Sequence, residues 1–164
     1  MSPTSAYRHF AHHGALLAAV RDSCQASLAA SMRSQLETLP AEPDPRLAAR
    51  GRMLAVGRGY LAFAFAEPGL FRTAFAGTAT DTYPPPDGIH TGEPGPYELL
   101  SGALDELVTQ GELAPERRQL AEIGAWAAVH GLALLVLDGP LWQIGADERA
   151  TAVERILGMV LDGV

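Results

Sequence analysis

What the chain lacks narrows it first. Lysine and asparagine are absent from its 164 residues, a bias we assign to the base composition of the gene rather than to folding. Cys24 is its one cysteine. That excludes an internal disulfide, and a place on an apolar stripe without acid or base neighbours argues against a nucleophile, so a reducing cytoplasm is expected. Positive charge is scarce: 12 arginines against 19 acids leave a net charge of −7 and a pI near 5.1, which excludes nucleic-acid coating by the chain as a whole. The exception is the stretch up to Arg33, where Arg8, Arg21, Arg33, His9, His12 and His13 face Asp22 alone. No signal-peptide succession opens the chain, and no uncharged run reaches the ~20 residues a bilayer span needs, so no membrane is expected. No apolar alternation long enough for a strand is found, which leaves an all-α class.

What is there is ample for a core, with 48% of residues hydrophobic. Ser2 and Pro3 cap a short helix ending near Phe10, and Ala11 to Gly14 read as a turn. From Ala15 to about Leu39, Leu16, Val20, Cys24, Leu28, Met32 and Leu36 recur every four residues. Asp44 and Pro45 start a third helix that runs to Ala66, and Pro68 to Phe75 form a short fourth. Ala76 to Gly95, with a triple proline, reads as a long loop that either closes over something or has no fixed structure. Pro96 to Gln110 is helical and closed by Gly111. Glu116 to Asp138 and Asp147 to Leu161 complete the chain.

The Glu116 to Asp138 helix is the predicted centre. Its last four turns are apolar all round, so no face is left to water. One flank is a strip of small side chains, Gly124, Ala127, Ala128 and Gly131, with Leu135. Together with Val153, Leu157 and Val160 of the last helix it is the expected dimer interface, a four-helix bundle formed with a second copy of the chain.

The first ten residues are too short and polar for a core. Ser2, Thr4, Ser5, Tyr7, Arg8 and His9 instead offer donors suited to base edges and phosphates. SPTSAYRHFAHHGALLAAV, residues 2 to 20, resembles the recognition helix, turn and following helix of tetracycline-repressor-like (TetR family) transcription regulators. The resemblance implies that Thr4 and Ser5 face the major groove, that Tyr7 and His9 touch phosphate, and that Phe10 and Leu17 anchor a small domain. The family usually has lysine at the place of His13, a phosphate contact that an imidazole weakens. Two helices normally precede this one, so a shortened N-terminus is expected, with residues 1–14 the remnant of a helix-turn-helix domain and 15–164 a ligand-binding and dimerisation domain.

Tyr60, Phe63, Ala64, Pro68, Gly69, Leu70, Phe71, Arg72 and Phe75 are also similar to one effector-domain type in that family, which carries Trp-x-x-x-His-Gly in its penultimate helix, here Trp126, His130 and Gly131. His130 is the one polar group in that apolar run. Either it is satisfied by a carbonyl or threonine inside the core, or with Trp126 it faces an apolar cavity and supplies the polar contact to a small effector. In the second case Phe63, Phe71, Phe75, Tyr97 and Leu134 line the cavity with them.

Enzyme signals are accidental. Gly57, Gly59 and Ala62 mimic a dinucleotide fingerprint but sit inside a helix. His9, His12 and His13 lack the further ligand a metal set needs, and no cofactor is expected. Arg46, Arg50 and Arg58 share a helix side, as an anion site or as a solvated face. Two readings follow: a dimeric, ligand-responsive regulator, expected to be a repressor, that binds operator DNA; or a small-molecule-binding or dimerising module that lacks DNA contact.

Overall fold

The computed structural model describes residues 13–76 and 93–163. The expected DNA contacts Ser2, Thr4, Ser5, Tyr7, Arg8 and His9, and most of the expected long loop, lie outside the described residues. The described residues form six α-helices and no strand: α1 (His13–Glu37), α2 (Pro45–Ala66), α3 (Pro68–Ala74), α4 (Pro96–Thr109), α5 (Ala121–Leu137) and α6 (Ala146–Gly163), with a 3-10 turn at Pro115–Arg117.

Local chemistry sets the boundaries. Asp44 accepts from the Arg46 N–H at 2.9 Å, and Pro45 holds the first helical position of α2. Pro68 and Pro96 open α3 and α4 in the same way. Gly111, at φ 74°, lets the chain turn back so that the N–H groups of Glu112 and Leu113 reach the Leu107 carbonyl.

The helix at the centre is α2, which touches all five others. It can do so because it surrenders side chains where neighbours cross. A Cβ on Gly59 would stand 2.4 Å from Met32 Cα of α1, and one on Gly57 would stand 2.3 Å from Leu157 Cδ2 of α6. Ser31 also donates to the Gly59 carbonyl at 2.9 Å. The core on α2 is built from Leu28, Met32, Leu61, Phe71, Leu104, Leu107, Leu113 and Leu157, all nearly inaccessible to water. Around its rim arginines of α2 are tied down: Arg50 to Asp162 and Glu112, Arg52 to Glu106, Arg58 to Glu154. The alternative of an anion site at Arg46, Arg50 and Arg58 is therefore not realised, since Arg46 also faces Glu112 at 4.0 Å.

One expectation for the penultimate helix is corrected. It does not begin at Glu116, because Leu120 adopts a left-handed conformation (φ 64°) that separates the 3-10 turn from α5. Within one chain its sides differ. Ala125, Val129, Leu132, Ala133 and Val136 face the core, while Gly124, Ala127, Leu134 and Leu135 are open to water. A helix apolar all round carries no polar mark to say which face turns inward. Among the described residues no helix is long and apolar enough to cross a membrane.

Candidate functional site

A cavity of about 180 Å³ lies between α2, α4, α5 and α6, with Met32 of α1 at its inner end. Met53, Leu54, Val56, Gly57 and Tyr60 of α2 form one wall. Pro96, Tyr97 and Leu100 of α4 face Ala125, Trp126 and Val129 of α5, and Leu157 and Val160 close the side toward α6. Leu120 and Ile123, both largely exposed, also border it at the start of α5. The composition is that of a ligand site: apolar surface almost throughout, with few polar groups.

Among the described residues the one charged lining residue is Glu122, itself 9% exposed. Ser101 donates to its Oε1 at 3.1 Å and Arg118 to the same oxygen at 2.6 Å. Arg118 also holds Asp105 at 2.7 Å and donates to the Ser101 hydroxyl at 2.8 Å. Burial pushes the Glu122 carboxyl up, but its own backbone N–H, Arg118 and Ser101 outweigh that, and it titrates below the ordinary range. The carboxylate is thus charged and held in place at the cavity wall.

Beside the cavity stands an aromatic cluster. The Tyr60 hydroxyl lies 2.7 Å from His130 Nδ1 and accepts from Trp126 Nε1 at 3.1 Å. Phe75 packs against His130 at 4.8 Å between ring centroids, and Phe71 meets Tyr60 edge-on at 5.6 Å. With burial as the sole resolved cause, the His130 imidazole is pushed below its ordinary pKa and stays neutral.

The structure thus divides the seven residues read as cavity lining. Trp126 and Tyr97 border the cavity. His130, Phe71 and Phe75 stand behind it in the aromatic cluster, so the imidazole meets a phenol rather than the void, a carbonyl or a threonine. Phe63 is buried in the core and Leu134 points outward from α5. Of the expected interface, Gly124, Ala127 and Leu135 lie on the open flank, with Ala128 and Gly131 half-buried beside them; a Cβ on Gly124 or Gly131 would meet nothing within 4 Å. Leu157 is corrected: it is buried in its own chain, filling the notch at Gly57, while Val153 and Val160 are half-buried, Val160 also bordering the cavity. Leu157 and Leu161 of α6 are buried in their own chain, whereas Val153, Ile156 and Val160 are half-buried and Met159 is exposed. His13 opens α1.

Sequence reading missed Tyr60 as the partner of His130, and it missed Glu122. The second carried a signal: Arg118 and Glu122 stand four apart at a helix start, a spacing that pairs opposite charges, and the acid adjoins an apolar run.

A helical domain with a partly open apolar cavity beside an exposed apolar flank has the form suited to a ligand-binding module. Residues 53–160 match the family model described as tetracyclin repressor-like, C-terminal domain, and the chain belongs to that family of regulators. Comparison with curated proteins and with solved structures gave no match.

Proposed function

We propose that the chain is a ligand-responsive transcription regulator, a repressor, that acts as a homodimer in the cytoplasm and takes a small apolar effector in the cavity beside Trp126. It needs no catalytic step. The observation that carries this reading is the apolar cavity inside a regulator-family domain. The effector-binding residues are the cavity's own, with Tyr97 and Trp126 in contact and Phe71, Phe75 and His130 packed behind them in the aromatic cluster.

The route from cavity to DNA runs through α1. Met32 borders the cavity, and α1 leads back to the residues proposed as the end of a helix-turn-helix domain, 1–14, where Thr4 and Ser5 would meet bases and Ser2, Tyr7, Arg8, His9 and His13 the backbone. Gln25 of α1 donates to the Ala74 carbonyl at 2.9 Å and Arg21 to that of Ala76 at 3.1 Å, so α1 is fastened to α3 as well. Filling the cavity shifts α1 and, across a dimer joined by the last two helices, changes the spacing of two recognition helices.

The test is release of DNA. Duplexes from the region flanking the gene are bound by the dimer, carried if needed on an upstream-extended chain, and a ligand that enters the cavity weakens that binding. A ligand shown to occupy the cavity that leaves DNA affinity unchanged defeats the proposal.

A further inference from the structure

The cavity has a chemistry as well as a size, and Glu122 sets it. An apolar cavity of about 150 Å³ takes one benzene ring, so 180 Å³ suits a single substituted ring. The polar atoms of Tyr60 and Trp126 are turned on each other and on His130, which leaves their rings to the ligand. Glu122 is different. Three donors reach its carboxylate, Ser101 and Arg118 at Oε1 and its own backbone N–H, and a carboxylate offers about four lone-pair sites, which leaves it capacity to accept one more donor at the wall.

Charge points the same way. Arg118 is shared between Glu122 and Asp105, so the cluster of three carries one net negative charge, and among the described residues no lysine, arginine or histidine borders the cavity to balance it. An anionic ligand would meet like charge in a medium of low dielectric, while a neutral donor would form a charge-assisted hydrogen bond.

Resting on the effector reading above, we propose that the ligand is a small, uncharged aromatic molecule bearing one hydroxyl or amino donor, and that Glu122 is the residue that selects it over hydrocarbons and aromatic acids. In a cavity without an acceptor, a phenol O–H leaves water unpaired and a hydrocarbon of the same shape wins. With Glu122 the order is reversed or levelled.

Isothermal titration of the full chain at neutral pH with phenol, toluene and benzoate decides the matter. Phenol should bind at least as tightly as toluene, and benzoate should not bind. Glu122→Met should cost phenol tenfold or more while toluene is kept or gains. Should Glu122→Met fail to fold, Glu122→Gln, which keeps an acceptor but loses the charge, should narrow the phenol preference. Toluene binding well ahead of phenol in the unaltered protein, or benzoate binding like phenol, overturns the proposal but leaves the effector cavity standing. If none of the three binds and Val129→Phe, which fills the cavity, changes nothing, the effector reading falls and this one with it.

Discussion

Gly59 of α2 lies against the backbone of Met32 in α1, so close that a single added carbon would stand 2.4 Å from Met32 Cα. Backbone cannot swing aside as a side-chain end can. Gly59→Ala should therefore force α1 and α2 apart and cost about 3 kcal/mol, at the upper end for overpacking. A denaturant midpoint unchanged from wild type would show that the crossing is looser than described.

Tyr60→Phe removes the one hydroxyl that both Trp126 Nε1 and His130 Nδ1 meet. Each loses a partner in a partly buried setting, and the variant should lose about 2 kcal/mol. Trp126 emission, read in a Trp142→Phe background that leaves it the sole indole, should shift on the same substitution.

His130 gives stability a pH dependence of definite sign. Its folded pKa lies below the ordinary 6.5 because burial disfavours the cation. As pH falls through 6.5 the unfolded chain takes up a proton that the folded one refuses, so stability drops until the folded pKa is reached. Asp138 and Glu154, held low chiefly by hydrogen bonds from Arg72 and Arg58, act only further down, where carboxylates protonate. His130→Gln should flatten the decline between pH 7.5 and the folded pKa; urea midpoints that fall equally in both proteins would remove His130 as its source.

Leu157→Ala empties the notch at Gly57 and enlarges the cavity at once. The loss should be about 3 kcal/mol, as for other buried leucines truncated to alanine. Part of that should return on adding an aromatic ligand too large for the unaltered protein, seen as a rise in melting temperature.

Gly131 has open space where a side chain would stand, so Gly131→Glu should leave the protomer folded. If the open flank of α5 seats a second copy, a buried charge there is intolerable, and sedimentation should find a monomer with unchanged helical content. A stable dimer would move the interface elsewhere.

Much of this fold could be read from punctuation. Pro45, Pro68 and Pro96 each stand at the first residue of a helix, Gly111 closes α4, and the four-residue rhythm of Cys24, Leu28 and Met32 names the buried side of α1. Where the chain offers local chemistry, boundaries followed within a few residues. The orientation of α5 was illegible because its polar and apolar sides do not differ. The cavity was illegible because its walls come from segments far apart: nothing near Leu157 says that Gly57 will stand opposite, and nothing near His130 names Tyr60. The left-handed turn at Leu120 has no glycine or asparagine to announce it.

The two notches in α2 also limit how the molecule can change shape. Met32 is pinned at Gly59 and Leu157 at Gly57, two positions apart on one rod, so neither α1 nor α6 can slide lengthwise without colliding with the next side chain. What is left to them is pivoting about those pins. A guest arriving beside Met32 would therefore tilt α1 about that pin, and because Gln25 and Arg21 fasten its outer half to the end of α3, the tilt would carry α3 along with it.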